Sequence, residues 1–420
     1  MFNNATQQYV CPIAQECGGC SLVDTPYDQQ LAAKQQYITE LFEPLAGEEC
    51  TLSPLLGMGN PWQFRNKIVS PTAKAKGGLR VRKSMRTGRS GMLAARRSQI
   101  LTGLYKAGTH ELVACESCPV EHPLGRPIIA AVKQLMARYK MEPYDEDAGT
   151  GFMRHVVVRV GQQSGEVLVT LVTNEKEFTG SKNFCRELVK QIPEITTIVQ
   201  NINTHQINAI FGQDERVLYG PGFILDTLCG LSFRISSNSF YQVNAVQTEV
   251  LYGAAVQAAA KQVKADGSSA PLIFDAYCGT GTIGLVAASQ IPHARVIGVD
   301  KVESAIRDAR QNAAHNGIEN AEFVAADAGE YLQHLAAEGT RPSILFLDPP
   351  RAGASEQFLQ AALASAPQSI VYISCNPETQ VRDCQVLVQE GYKLKTIQPV
   401  DMFPHTKHVE CVVLMSKANT

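Results

Sequence analysis

Between residues 272 and 416 seven short apolar, β-branched runs recur with helix-like segments among them: LIFDAY (272–277), RVIGVD (295–300), AEFVAAD (321–327), SILFLD (343–348), SIVYIS (369–374), LKTIQP (394–399) and CVVLMS (411–416). Strands alternating with helices pack as a doubly wound, mostly parallel sheet. Ligands of such a sheet gather outside the carboxyl ends of its strands. That rule singles out Tyr277, Asp300, Asp327, Asp348 and Cys375, each at or just past the end of a run. Upstream the pattern differs. Residues 27–46 read as an amphipathic helix with Leu31, Ile38, Leu41 and Phe42 on one side. Strands are expected at 154–160, 166–173 and 196–202, and helices at 125–140 and 180–192. The fold class is therefore α/β in residues 236–420, preceded over residues 1–235 by an α+β region; the helix at 27–46 is free to pack on the C-terminal domain.

A chain of 420 residues carries two or three domains. Its N-terminus, MFNNATQQYVCPIAQE, has neither the basic start nor the apolar core of a secretory signal. No apolar run reaches the length that spans a bilayer. A cytoplasmic protein with no membrane partner is expected, and its twelve cysteines are then thiols, metal ligands or nucleophiles rather than disulfides. The net charge of −2 excludes a uniformly basic nucleic-acid binder. Its distribution does not exclude a local one. From Arg65 to His110 stand twelve cations (Arg65, Lys67, Lys74, Lys76, Arg80, Arg82, Lys83, Arg86, Arg89, Arg96, Arg97 and Lys106) and no Asp or Glu. Such a stretch is an anion-binding surface suited to a phosphate backbone, and the alternation GLRVRK within it reads as hairpin and loop.

DAYCGTGTIG (275–284) places three glycines between a strand and a helix. Gly279 and Gly281 let the backbone approach a ligand, and the helix start offers free N–H groups. Asp300, ending the next strand, is placed to accept from ribose hydroxyls. The glycine spacing is shorter than the dinucleotide pattern of oxidoreductases and resembles that of class I S-adenosylmethionine-dependent methyltransferases. FLDPPRAG (346–353) ends the fourth strand in a rigid turn able to address a base edge. Amino-methyltransferases have an aromatic residue after the paired prolines; Arg351 stands there here, which favours carbon as the methyl acceptor.

Cys375 ends the fifth strand, and Asn376 and Pro377 suit the cap and first position of the helix that follows. A thiol at a helix start is expected to be acidified. Pyrimidine C5 is a poor nucleophile until a thiolate adds at C6, and covalent addition divides a hard step into two easier ones. A base must afterwards remove the C5 proton. Glu410, with His405 and His408 nearby, lies just before the last strand.

SCNPET around Cys375, LDPPR, FRISSNSFYQVN (233–244) and DMFPHTKHVE (401–410) together resemble the RNA 5-methyluridine methyltransferases. The resemblance implies Cys375 as nucleophile and Glu410 as general base, with His405 and His408 in support. It implies an S-adenosylmethionine pocket formed by Gln242, Tyr277, Thr282, Asp300, Asp327 and Asp348. Asp300 departs from the family, in which Glu is commoner. CPIAQECGGC (11–20) is a metal-binding spacing, with Cys115 or Cys118 as a fourth ligand, and spacing alone leaves zinc and iron–sulfur open. The resemblance points to a [4Fe-4S] cluster on Cys11, Cys17, Cys20 and Cys118, structural rather than redox-active. It implies that the small β-barrel of many relatives is missing, so that RNA grip falls to the basic stretch with Trp62, Phe64 and Tyr105 as stacking residues. Structured RNA is the expected partner, 23S ribosomal RNA rather than transfer RNA because of the cysteines; DNA is not expected, and a monomer is favoured. The competing readings are a transfer-RNA uridine-C5 enzyme, a cytosine-C5 RNA methyltransferase and a non-catalytic RNA-binding assembly factor.

Overall fold

A computed structural model describes residues 2–3, 8–75, 100–206, 209–266 and 270–417. Lys76, Arg80, Arg82, Lys83, Arg86, Arg89, Arg96 and Arg97 of the basic stretch, and its GLRVRK alternation, lie outside them. The chain forms two compact units. One comprises residues 1–23, 62–226 and 235–238, the other 24–61, 227–234 and 239–420.

The first unit is built on a seven-stranded sheet whose order, from one edge, is 214–219, 195–202, 167–173, 153–160, 67–74, 100–105 and 112–114. Neighbours are antiparallel except 167–173 and 195–202, which run parallel. That pair is joined by the helix Ser181–Gln191, the crossover a parallel connection requires. With the helix Gly125–Arg138 it buries one apolar cluster that includes Ile128, Val132, Phe184 and Leu188. Phe64, expected to stack on RNA, is buried at 6% exposure and so serves this unit's packing. Trp62 is half-buried with its ring 5.1 Å from that of Tyr9, and Tyr105 donates to Glu146.

The second unit holds the alternating runs as strands, labelled here β1 (Leu272–Ala276), β2 (Arg295–Asp300), β3 (Ala321–Ala325), β4 (Ile344–Leu347), β5 (Ser369–Ser374), β6 (Tyr392–Val400) and β7 (Glu410–Lys417). They are ordered β3-β2-β1-β4-β5-β7-β6, with the short strand Thr51–Leu52 added parallel to β6. β1 to β5 are parallel. β7 runs antiparallel to both its neighbours. β4 and β5 are buried at every residue, as continuous apolar runs must be when both faces of a sheet are covered. Because β7 is reversed, it starts at the carboxyl edge of β5, where its second residue, Cys411, pairs with that strand's last, Ser374.

The helix α1 (Tyr27–Phe42) buries Gln30, Lys34, Ile38 and Phe42, spaced four apart along one stripe. Leu31 and Leu41, expected on the core side, are only half-buried. Two of the four most buried positions are polar because the partner of this stripe is partly the loop 401–409 between β6 and β7. Lys34 and Asp401 form an ion pair of 2.6 Å, at 3% and 0% side-chain exposure. Removing one partner of such a pair costs about 3–5 kcal/mol, since the other charge is left buried alone. A 22-residue helix, α2 (Ala245–Asp266), precedes β1, and α3 (Thr282–Gln290) follows it. No helix among the described residues is long and apolar enough to cross a membrane.

Candidate active site

The carboxyl edge of the second sheet brings several of the expected residues together. In the antiparallel ladder Ser374 pairs with Cys411. The next residues outward, Cys375 and Glu410, therefore face each other across the β5–β7 step. Tyr372 of β5 is level with Leu347 of β4, which puts Asp348 at the same edge. The ionisation of Cys375 is governed by burial first, then by Glu410, Asp348 and Arg351. All four side chains thus share one neighbourhood.

Its electrostatics differ from the expectation for a helix start. Burial pushes the Cys375 thiol above its ordinary range, the Glu410 and Asp348 carboxylates push it further, and Arg351 pulls it back by charge and by a hydrogen bond. The helix α4 (Pro377–Gln389) does begin at the proline. Asn376, however, makes no side-chain cap; its Nδ2 donates to the carbonyl of Arg351 at 3.0 Å, and Thr379 Oγ1 donates to the same oxygen at 3.3 Å. The two motifs are therefore fastened to each other, and Arg351 is a side chain that favours the thiolate. Behind them Asp383, buried, accepts from Tyr372 and from the Ala354 amide, which fixes the far side of the DPPRAG turn.

The carboxyl groups here are held against ionisation. Burial raises Glu410 to about 8, with Asp348 adding to the rise and Arg351 opposing it. Burial raises Asp348 to about 7. Asp275, one residue before the end of β1, is raised to about 8 by burial and then by Asp348. One of its oxygens accepts from the Gly284 amide at 3.0 Å, and the other is buried with no hydrogen-bond partner. Sequence reading passed over Asp275, although its place at the close of a strand before a glycine loop was a signal. Tyr252 was also passed over. It is buried on α2 beside Asp348 and Glu410, and its hydroxyl lies 3.2 Å from Thr282.

The glycine loop lies at the same ends of the strands. Tyr277, Gly279 and Gly281 all have positive φ, at 59°, 55° and 78°. A Cβ on Gly281 would stand 2.7 Å from the Phe323 ring, so packing as well as conformation demands glycine there. At Gly279 a Cβ would meet nothing within 4 Å, which leaves open space above the loop. Asp300 accepts from the Gly279 amide at 3.1 Å and from the Val302 amide at 2.8 Å. A carboxylate has about four lone-pair sites, so acceptor capacity remains for a ribose. Asp327 caps the helix after β3 through the Glu330 amide, and its bond to Lys301 at 2.7 Å holds its pKa down. Tyr277 packs on Phe358 with ring centroids 5.2 Å apart. Gln242 is half-buried in the segment before α2.

His405 is buried and locked in a φ of +66°, its Nδ1 facing Gln30 Nε2 at 3.2 Å and its Nε2 facing the Pro61 carbonyl at 3.0 Å. Burial lowers it to about 4, so it is a neutral ring that holds the loop. His408 is partly exposed and is lowered by burial and by Arg351.

A curated relative from Bacillus cereus, named an uncharacterized RNA methyltransferase, is 38% identical over 97% of this chain and 82% of its own length. One from Halalkalibacterium halodurans, named in the same way, is 38% identical over 97% of this chain and 83% of its own. Residues 224–418 match the family model described as tRNA (Uracil-5-)-methyltransferase. The chain belongs to the RNA (uracil-5-)-methyltransferase family. A solved structure of this family, the Pyrococcus abyssi tRNA (uracil-54, C5)-methyltransferase in complex with S-adenosyl-L-homocysteine, superposes with a TM-score of 0.72 at 25% identity. The match covers 97% of this chain and 87% of that one. As a member of the RNA (uracil-5-)-methyltransferases the chain is an enzyme, and its second unit is their Rossmann-like methyltransferase domain.

In the first unit, Cys11, Cys17, Cys20 and Cys118 are half-buried and Cys115 is buried. Cys17 Sγ accepts from the Gly19 amide at 3.3 Å. Burial raises Cys20 to about 11, and Cys17 and Cys11 add to the rise. Cys115 is raised to about 11 by burial, with Cys17 and Cys11 again contributing. The thiols thus share a neighbourhood, yet among the described residues no three His, Cys, Asp or Glu side chains gather as a site for one metal ion. Beside them Arg126 and Glu121 form a buried two-pronged ion pair with both contacts at 2.6 Å.

Proposed function

We propose that this enzyme methylates C5 of a uridine in structured RNA through a covalent adduct on Cys375, and that its substrate is 23S ribosomal RNA. The observation that carries the reading is the placement of thiol and carboxyl one residue beyond the Ser374–Cys411 pair of the β5–β7 ladder, with Arg351 on the thiol. Cys375, as thiolate, adds to C6 of the base and makes C5 nucleophilic. S-adenosylmethionine, when bound, supplies the methyl group for C5. The residues suited to hold it are Gln242, Tyr277, Thr282, Asp300, Asp327 and Asp348, and the open space at Gly279 fits a ligand lying over the loop. Glu410, as carboxylate, then takes the C5 proton; the C5=C6 bond re-forms and the sulfur leaves C6 as thiolate. A base with a pKa near the working pH suits a group that must be ionised for one step and neutral after it. Nucleoside-resolved mapping of RNA from cells with and without the protein tests the reading. The expected result is one 5-methyluridine lost from 23S ribosomal RNA. Loss of a 5-methylcytidine, or of 5-methyluridine from transfer RNA only, overturns the assigned base or the assigned RNA.

The same reading places a [4Fe-4S] cluster on Cys11, Cys17, Cys20 and Cys118. What supports it is the donor chemistry: thiols in one neighbourhood, beside a buried cation, Arg126. Ligands of a four-iron cluster bind four different irons and need not converge on one point. The cluster would tie the segments on either side of the basic stretch. Protein purified without oxygen is expected to be brown with about four irons per chain, and Cys17→Ser or Cys118→Ser to be colourless and less stable. Stoichiometric zinc without iron would remove the assignment.

Reversing the charges of Arg80, Arg82 and Arg86 is expected to weaken RNA binding. Its salt dependence should flatten by about 0.7–0.9 log units for each phosphate no longer neutralised. Affinity for S-adenosylmethionine should not change. Filter binding across a salt series checks both.

A further inference from the structure

Helix α1 lies more than 300 residues before the catalytic motifs in the chain, yet it touches the segments that carry both reacting side chains. At its N-terminal end Tyr27 donates to Asp401 Oδ2 at 2.7 Å. One turn on, Gln30 Oε1 accepts from the His405 amide at 2.9 Å while its Nε2 faces the ring of the same histidine. Another turn on, Lys34 donates to Asp401 Oδ1 at 2.6 Å and to the Phe403 carbonyl at 3.2 Å. These three residues read both ends of the segment 401–405, from which four residues lead to Glu410. Further along the helix Tyr37 donates to Glu378 on α4 at 3.2 Å, three residues after Cys375. Ile38 and Phe42 sit in the same core cluster as Cys384 and Leu387 of α4. α2 and the residue before it complete the grip on the loop: Asn244 donates to the Met402 carbonyl at 2.9 Å and Gln247 to the Asp401 carbonyl at 3.1 Å.

A loop that only closed the sheet would not require a charged pair enclosed at its root, because burying two charges yields little net stability. What such a pair supplies is a single geometry. We infer that Lys34 and Asp401, with Tyr27 and Gln30, are positioning residues that fix the loop 401–409 and thereby the Glu410 carboxyl against Cys375. The inference rests on the reading of Glu410 as the base that releases the adduct. A misplaced Glu410 leaves addition and methyl transfer intact and slows only removal of the C5 proton, and with it the departure of sulfur from C6.

The test compares Lys34→Met/Asp401→Asn, Tyr27→Phe and Glu410→Gln with the parent enzyme on cognate RNA. The double substitution removes both charges, so neither is stranded and the protein can keep its fold. Melting temperature and S-adenosylmethionine affinity by calorimetry report on folding. Expected for the double variant are near-parental values of both, a kcat lower by about 10–100-fold, an unchanged KM for RNA, and a methylated protein–RNA adduct visible on a denaturing gel. Tyr27→Phe should show the same signature more weakly. Parental turnover in a folded double variant overturns the inference, as does a loss of kcat that tracks loss of cofactor affinity without adduct. If Glu410→Gln itself gives no adduct, the assignment of the base fails. If it gives adduct and the double variant does not, only the positioning role fails.

Discussion

RNA incubated with the Cys375→Ala enzyme and S-adenosylmethionine should gain no 5-methyluridine, and no protein–RNA complex should survive denaturation. The expected loss is on the order of 10⁴-fold or more, as when a covalent nucleophile is removed from a site that otherwise remains intact. Arg351 gives this result a second handle. Burial and two carboxyl groups hold the thiol above its ordinary range, and only Arg351 opposes them. Adduct formation by the parent enzyme should therefore accelerate as pH rises through neutrality, because the thiolate fraction grows. Arg351→Met should push the profile to still higher pH. A rate independent of pH between about 6 and 9 in both proteins would contradict this electrostatic account. Methylation by Cys375→Ala would end the covalent mechanism altogether.

Glu410→Gln should do the opposite to the adduct. Sulfur addition and methyl transfer need no carboxylate at this position, but β-elimination does, so methylated adduct should accumulate while turnover falls by about 10²–10⁴-fold. Radiolabelled methyl groups running with the protein on a denaturing gel are the readout. Normal turnover by Glu410→Gln, with adduct in a His408 variant instead, would move the base to that histidine. The substitution also has a thermodynamic signature. In the fold Glu410 is raised to about 8, mainly by burial, whereas an exposed Glu ionises near 4.5. A carboxyl raised on folding costs stability progressively as pH climbs through the window between those values, and the cost is complete above about 8. Glutamine carries no charge to bury. The variant should thus melt at a higher temperature than the parent at pH 8 and at nearly the same temperature at pH 4.5, as followed by calorimetry.

The doubly wound sheet was legible because its central strands, β4 and β5, are buried on both faces and therefore read as unbroken apolar runs, and the other strands recur as apolar runs between helices. Cys375 and Asp348 were legible as strand-end residues, and Glu410 as the residue just before the last apolar run. Their mutual facing was not. It depends on β7 running backwards between β5 and β6, and an apolar run such as CVVLMS has no direction. The stripe of α1 was misread for a related reason. Periodicity weights Leu31 and Leu41 as core, but Gln30 and Lys34 are the residues enclosed, because the surface they meet is a polar loop. Asn376 likewise has a capping residue's identity, yet its amide serves Arg351 of another motif, a partnership that spacing along the chain cannot disclose. Phe64 illustrates the reverse error, an aromatic beside cations that turns inward.

The antiparallel step between β5 and β7 gives the chemistry an unusual kind of tolerance. Side chains alternate between the two faces of a sheet, so a slip of one residue in β7 would bring Cys411 opposite Cys375 and turn Glu410 to the other face. Under the proposed mechanism the reaction would then not slow gradually; it would lose its base at once, and two thiols would be set against each other. A displacement of the loop 401–409 would shift Glu410 without turning it to the other face, so it would slow the reaction rather than abolish it. Sequence change around this site is therefore expected to behave as substitution without insertion. Many side chains of β7 can be exchanged for others of similar volume, but a single residue added to or removed from it ahead of Ser416 would be selected against as strongly as loss of the cysteine itself.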